Sequence, residues 1–271
     1  MIKMDDFIPK DLLSLESKFE ISKVVITEAL TRYRNPAIVW SAGKDSTVML
    51  HIAKGVCEGM NRTLPPAIFI DHGDHYEETL KLVDDISEEW NFKVIIAKNE
   101  DFLKNVADGS VEVERLSEGN RDEIKKIKFS GSTIPYSLET EVGNHLLKTV
   151  PMNDVIKTYR FDSLLVGVRR DENKARSTET FVSRREYPEH YRIHPVLTFS
   201  EKDIWDYTFS RNVPYHPLYK KGYRSIDGKN DSKKISDIPA WEQDLENTSE
   251  RAGRAQDKEN MMERLRKLGY M

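Results

Sequence analysis

Apolar positions along this chain follow two rhythms, and the changes from one to the other mark out its elements. Leu12, Leu13, Leu15, Phe19, Ile21, Val24, Val25, Ile26 and Ala29 recur at roughly helical spacing, which predicts one or two amphipathic helices between about residues 11 and 33. Pro36 breaks that run, and the unbroken apolar stretch Ala37-Ile38-Val39-Trp40 predicts a short buried strand. Small residues then turn the chain into a second helical pattern, Val48, Met49, Leu50, Ile52 and Ala53. The alternation continues. Pro66 to Asp71 predicts a strand with His72-Gly73-Asp74 as its exit turn, and Tyr76, Leu80, Leu82, Val83 and Ile86 predict a helix. Phe92 to Ala97 predicts a third strand, Leu138 to Arg160 a helix, and Ser163 to Val168 a fourth strand. After Tyr191 to Val196, Ser200 with Asp203 three residues on predicts a capped helix start.

Strands alternating with helices of this length predict an α/β fold with a doubly wound, mostly parallel sheet. Ligands then sit at the C-terminal ends of the strands. Two stretches fall outside the rhythm. Residues 108 to 133 are polar, with Gly109, Gly119, Gly131 and the cluster Lys125, Lys126, Lys128, and they predict a mobile loop or lid. Residues 220 to 236 are rich in Lys, Gly, Asp and Ser and predict a linker, followed by a charged tail with a helix from about Lys258 to Leu268. The expected organisation is an N-terminal helical segment (1–35), a nucleotide-binding α/β domain (36–218) and a charged C-terminal extension (219–271) that is not an independent domain.

Composition narrows the classes. The 271 residues carry 32% charged and 38% hydrophobic side chains and a net charge of only −4, so no global bias toward nucleic acid or an anionic membrane shows. Cys57 is the single cysteine, which excludes an internal disulfide and a cysteine-built metal or cluster site within one chain. No apolar run approaches the roughly 20 residues that span a bilayer, and Met1 to Asp6 lacks a signal-peptide core. A cytoplasmic protein is the default expectation.

Chemistry concentrates at two strand exits. In Ser41-Ala42-Gly43-Lys44-Asp45-Ser46, a strand, a small-residue turn and a helix start aim backbone N–H groups at an anion; Lys44 adds charge and the serines add hydroxyls. The loop is shorter than the P-loop of the common ATPases. Asp45 makes sense there if it helps hold Mg²⁺ or orients Lys44. A plain capped helix start is the other reading. At the fourth strand's exit, Arg169, Arg170, Lys174 and Arg176 place four cations in eight residues around Asp171 and Glu172. Guanidinium forks suit phosphate or sulfate oxygens, although a surface helix start with internal ion pairs has the same composition. Asp71, His72, Asp74 and His75 could hold a divalent ion, but a strand-exit turn with contacts to a nucleotide edge is preferred. His194 and His216 are expected to be structural or anion-contacting, and Cys57 a buried small hydrophobe.

With those residues in view, the chain resembles the adenine-nucleotide α-hydrolase-like superfamily, a Rossmann-like fold whose Ser-x-Gly-Lys-Asp-Ser pyrophosphate loop is matched by Ser41 to Ser46. Within it the resemblance is to the phosphoadenosine-phosphosulfate-reductase-like group, and there to the small, ATP-pyrophosphatase-type subunits of bacterial sulfate adenylyltransferase. Gly167 to Arg176, Pro214 to Ser225, and Thr248 to Arg254 with Gly269-Tyr270 carry it, and it covers about residues 15 to 271.

The resemblance implies ATP and Mg²⁺ as cofactors and sulfate as adenylyl acceptor, giving adenosine 5′-phosphosulfate and pyrophosphate. It implies Lys44, Arg169 and Arg170 as catalytic residues. Ser41, Ala42, Gly43, Lys44, Asp45, Ser46, Asp71, Gly167, Lys174 and Arg176 would bind the nucleotide, with Asp45 near the metal. A second copy of the chain and a GTPase large subunit are the implied protein partners; the stretch from Phe181 to Tyr191 is shorter than in the bacterial subunit, which weakens the second. Reductases of the group use a cysteine near the C-terminus, and this tail has none. Adenylation of a nucleic acid before sulfur insertion, FAD-synthetase-like transfer to FMN, and a regulatory subunit without turnover are the alternatives.

Overall fold

A computed structural model describes residues 13–172 and 176–250. In chain order the main elements are α1 (Leu15–Arg32), β1 (Pro36–Val39), α2 (Lys44–Gly59), β2 (Ala67–Ile70), α3 (Glu77–Glu89), β3 (Val94–Ala97), α4 (Glu100–Lys104), β4 (Ser110–Glu112), α5 (Glu118–Lys126), β5 (Thr133–Pro135), α6 (Glu141–Asn144), α7 (Val150–Tyr159), β6 (Ser163–Val166), β7 (Val182–Glu186), β8 (Glu189–Ile193) and α8 (Glu201–Ser210). The main sheet has the order β3-β2-β1-β6-β8-β7, parallel throughout except for the β7–β8 hairpin at its edge. The doubly wound, mostly parallel α/β fold expected from the hydrophobic rhythm is the fold observed.

The period of two along each strand divides the core. Ala37, Ile68 and Leu164 join Ile95 and Ala97 beneath Met152 and Ile156 of α7. Their neighbours Ile38, Ala67, Phe69 and Leu165 face the other way, onto apolar residues of α1, α2, α3 and α8. Such alternation is what a sheet covered on both faces demands. Helix ends follow their capping residues. Ser14 accepts from the N–H of Ser17 at the start of α1, and Ser200 and Asp203 form the expected capping box on α8. Lys18 of α1 reaches Asp203 at 2.5 Å, tying α1 to α8.

Two expectations are corrected, and one element was not foreseen. Residues 108 to 133 are not a mobile loop: β4, a 3₁₀ turn and α5 lie there, and β4 pairs antiparallel with β5. Val111, Leu116, Ile124 and Ile127 pack with Phe102, Ile134, Val142 and Leu146 in a core of their own. Those apolar residues stand singly among charges, and their partners lie outside the stretch, so local pattern hid the module. Lys125 and Lys126 pair with Asp122 and Glu123 of the same helix, which makes them a salt-bridged face. The helix from Leu138 to Arg160 is interrupted: a π turn over His145–Thr149 separates α6 from α7. The hairpin of β7 and β8 was unanticipated before Tyr191, because β7 (Val-Ser-Arg-Arg-Glu) carries one apolar residue and occupies the edge.

From Pro217 through Glu250 the chain packs back across the first strand exit, and Tyr219 and Ala240 are buried against Trp205 of α8. The helix expected at 258–268 lies outside the described residues. Among the described residues no helix is long and apolar enough to cross a membrane.

Ile134 is fully buried in the small second core. Ile134→Ala is expected to cost about 2–4 kcal/mol. Accelerated amide exchange confined to residues between about 102 and 147 would report it, and uniform exchange there in the unmutated chain would contradict an ordered module.

Candidate active site

In this sheet order, β1 connects outward to β2 and β3 on one side while β6 lies on the other. The exits of β1 and β6 therefore meet at the topological switch point, where a crevice opens beyond the carboxyl ends of the strands. The β1 exit turns through Ser41, Ala42 and Gly43 into α2, with Ala42 at φ 57°. A left-handed conformation costs a residue with a Cβ roughly 1 kcal/mol. Side chains from α2 hold the turn: Ser46 Oγ donates to the Gly43 carbonyl at 3.0 Å and accepts from Ser41 N at 3.3 Å. Trp40 Nε1 donates to Thr47 Oγ1 at 3.0 Å. The β6 exit presses against this turn through Gly167, where a Cβ would stand 2.8 Å from both N and Cα of Ser46. Only glycine permits that approach.

Two cations meet behind the turn. Lys44 Nζ lies 2.5 Å from Glu250 Oε1, donates to the Arg224 carbonyl at 3.2 Å, and stands 3.7 Å from Asp45 and from Glu201. Arg169 places Nη2 2.5 Å from the other Glu250 oxygen, Nε 2.9 Å from Asp171, and Nη1 on Asp45. Lys44 is 3% and Arg169 1% exposed, so these pairs are shielded from water. Burial pulls the Lys44 ammonium down, but Asp45, Glu250 and Glu201 outweigh it and hold the group above its ordinary value. The same balance raises Arg169, through Asp45, Glu250 and Asp171. Burial pushes Glu250 up, yet Lys44 and Arg169 hold it well below the usual carboxylate range. Glu201 moves the other way, raised by its burial.

The segment carrying Glu250 is fastened by Arg224. This guanidinium, 1% exposed, takes Glu201 at 2.8 and 2.9 Å and the carbonyls of Asp244, Leu245 and Thr248 at 3.2 Å each. Tyr219 closes the same side by accepting the Lys44 backbone N–H at 3.1 Å.

In front of the turn lies a cavity of about 80 Å³, bounded by Ser41, Ala42 and Gly43, by the β2 residues Ile68 to Ile70, and by His72, His75, His216, Lys148 and Asp227. Two of its lining residues, Lys148 and Asp227, are joined at 2.6 Å. The imidazoles are neutral at pH 7: burial pulls His72 down to about 3 and His216 to about 4, and lowers His75. His72 and His75 lie 3.8 Å apart between ring centres with their planes tilted by 33°, and His75 Nε2 donates to the Ile70 carbonyl at 3.0 Å. They are engaged in the strand-exit turn, as is Asp71, which accepts from Gly73 N at 2.9 Å and meets Lys98 at 3.0 Å.

The structure thus brings Ser41 to Ser46, Gly167 and Arg169 together. Arg170 is elsewhere, its Nε on the Glu179 carbonyl at 3.0 Å and its guanidinium over Phe181. Arg176 pairs with Glu172, and Lys174 lies outside the described residues. His194 and Cys57 are buried, the former with Nδ1 2.7 Å from the Thr180 carbonyl. Sequence reasoning missed the roles of Glu201, Tyr219, Arg224 and Glu250 and the Lys148–Asp227 pair. Tyr219, Arg224 and Glu250 stand within stretches that carried the resemblance; no spacing rule singled them out.

Known proteins can be set beside this geometry. A family profile described as phosphoadenosine phosphosulfate reductase domain matches residues 35–234. The sulfate adenylyltransferase subunit 2 of Rhizobium sp. (strain BR816) is 26% identical over 225 residues, 74% of this chain and 66% of that protein, just under two thirds of its length. Its namesake from Brucella abortus (strain 2308) is 27% identical over 242 residues, 80% of this chain and 71% of that one. Among solved structures, phosphoadenylyl-sulfate reductase from Candida auris superposes with a TM-score of 0.57 at 19% identity, covering 82% of this chain and 98% of that chain. FMN adenylyltransferase from Candida glabrata gives 0.64 at 14%, covering 91% and 92%. At such identities the structural likeness is one of fold.

Two outcomes follow from the packing. Gly167→Ala must displace the Ser46 backbone, and a lowered urea midpoint with unchanged slope is expected, corresponding to about 1–3 kcal/mol. Glu250→Gln leaves two buried cations short of a carboxylate and is expected to cost about 3 kcal/mol at pH 7. Because the folded-state pKa of Glu250 is lowered, its contribution is complete above the ordinary glutamate value and fades as pH falls below it. Melts of both proteins should therefore converge on acidification; a gap that is constant from pH 7 to pH 3 would refute the pairing.

Proposed function

The chain belongs to the phosphoadenosine phosphosulfate reductase domain family, and from that premise we propose that it is an ATP-dependent adenylyltransferase with sulfate as acceptor. The observation that carries the reading is the convergence of Lys44 and Arg169 on one carboxylate directly behind the Ser41–Ser46 turn. Two cations gathered at the N-terminus of α2 form a receptor for a polyphosphate. The curated relatives named sulfate adenylyltransferase subunit 2 support the choice of acceptor. Reductase chemistry is disfavoured because the single cysteine, Cys57, is buried within α2.

In this reading a sulfate oxygen attacks the α-phosphorus of ATP. The bond from that phosphorus to the bridging oxygen breaks, and pyrophosphate leaves with the electron pair. The α2 N-terminus with Ser41 and Ser46 would hold the departing β- and γ-phosphates. Lys44 and Arg169 would neutralise them once the phosphate oxygens take over from Glu250. Positioning and charge supply most of the catalysis in such transfers. Mg²⁺ would neutralise polyphosphate charge, and Asp45, the carboxylate at the start of α2, is an oxygen donor of the class it takes. The cavity of about 80 Å³ is below the roughly 300 Å³ at the lower end of ordinary ligand pockets. Nucleotide entry would therefore require residues that line it to move.

Pyrophosphate release from ATP–Mg²⁺ tests the proposal with sulfate, FMN and nucleic acid supplied in turn. Stimulation by sulfate alone is expected. Stimulation by FMN or nucleic acid instead would overturn the acceptor, and no release with any of them would favour a nucleotide-binding regulator. Lys44→Ala is expected to lower turnover by about 10²–10³-fold; near-unaltered turnover in a folded variant would remove the loop from the mechanism.

A further inference from the structure

The stretch that carries Glu250 is held differently from the chain before it. Upstream, Tyr219 and Ala240 are buried against Trp205 of α8, and Trp241 and Leu245 pack on the same apolar cluster. Between Leu245 and Glu250 the side chains are Glu246, Asn247, Thr248 and Ser249, none of them apolar and all four exposed. A segment that buries so little apolar surface opens more readily than one seated in a core.

Polar contacts fasten residues 246–250. Arg224 donates to the Thr248 carbonyl at 3.2 Å and to its hydroxyl at 2.5 Å, and Asp244 Oδ1 accepts the backbone N–H groups of Glu246 and Asn247 at 3.3 and 3.0 Å. The far end is pinned by Glu250, one oxygen 2.5 Å from Lys44 Nζ and the other 2.5 Å from Arg169 Nη2. A phosphate group, with its several anionic oxygens, satisfies the same two cations. The receptor itself does not depend on Glu250 for its place. Lys44 keeps the Arg224 carbonyl at 3.2 Å and the Tyr219 hydroxyl at 3.1 Å, and Arg169 keeps Asp45 and Asp171.

We infer that residues 246–250 form an autoinhibitory strap: the Glu250 carboxylate stands where a substrate phosphate group binds Lys44 and Arg169, and a polyphosphate enters by displacing it. The inference rests on the phosphate site of the proposed reaction and is independent of the adenylyl acceptor. Displacement replaces one anion by another at the two buried cations, and Glu250 carries its charge into water. The upstream chain stays seated on α8 through Tyr219, Ala240 and the Arg224–Glu201 pair. A closed strap lowers the apparent affinity of the site in proportion to the fraction of chains in which it is open. Weakening the strap should therefore tighten polyphosphate binding, although it removes contacts from the folded chain.

Limited proteolysis of the full chain by a glutamate-specific protease tests this, with sodium pyrophosphate against sodium chloride at equal ionic strength. Cleavage after Glu250 requires its side chain to leave Lys44 and Arg169 for the protease, so the rate follows the open population. Pyrophosphate should raise the melting temperature of the unmutated chain and speed that cut about tenfold or more relative to cuts elsewhere. A raised melting temperature with an unchanged or slower cut would leave the phosphate site standing and overturn the strap. No rise in melting temperature would remove the site and the strap together. Pyrophosphate titrations by calorimetry add a second test. Glu250→Gln should bind about tenfold or more tightly. Arg224→Lys keeps the charge but cannot fork across three carbonyls, and it should tighten binding about threefold or more. Tightening in folded Glu250→Gln but not in folded Arg224→Lys would reduce Glu250 to a repelling charge and overturn the strap, as would weaker binding in both.

Discussion

One carboxylate holds the candidate active site together. Glu250 gives one oxygen to Lys44 and the other to Arg169, two buried cations that arrive from different strand exits and would otherwise repel each other. Each cation is costly to bury, and the shared carboxylate joins Asp45, Glu201 and Asp171 in offsetting that cost. The consequences spread outward. Glu250 reaches this point because Arg224 fastens the preceding segment through three carbonyls. Arg224 is itself tolerated because Glu201, the first residue of α8, neutralises it. The C-terminal segment, α8 and the loop before α2 are thus one electrostatic assembly. Under the proposed function, a phosphate chain entering it would exchange one set of anionic oxygens for another without exposing a bare cation.

The sheet makes that assembly possible. A switch in strand order between β1 and β6 opens the crevice, and two very small residues let the two exits close on each other. Ala42 accepts a left-handed turn, and Gly167 lets the β6 exit touch the Ser46 backbone. Neither residue contacts a ligand through a functional group. Their contribution is space and conformation, and they decide where the charged side chains of the neighbouring positions end up.

What could be read from the sequence divides along the same line. Strands buried on both faces, such as Ala37 to Val39 and Ala67 to Ile70, declare themselves because every residue in them is apolar. The turn from Ser41 to Ser46 was legible because its chemistry is local: strand, small residues, lysine and helix start are contiguous. Edge and peripheral elements were not. In β7 one face is solvated and the other is cationic, so no apolar signal exists to be read. The module between β4 and β5 hid for a related reason, since Val111 and Ile134 pair across a long stretch of mostly polar chain. Glu250, 206 residues from Lys44, is the extreme case. A long-range ion pair leaves no trace in periodicity, only in which residues a related sequence happens to share.

Two places in the fold treat buried charge differently. Behind the Ser41 turn, Lys44 and Arg169 are met by Asp45, Asp171, Glu201 and Glu250, and the surrounding carboxylates raise both cations above their ordinary values. On the hairpin, Arg192 is lowered to about 10 with Arg185 beside it and Glu179 as the facing acid. The first arrangement is internally compensated, so an incoming anion must compete with the protein's own carboxylates. Affinity there is therefore limited by displacement. On physical grounds the turn should answer to ligands with enough phosphate oxygens to replace a bridging glutamate.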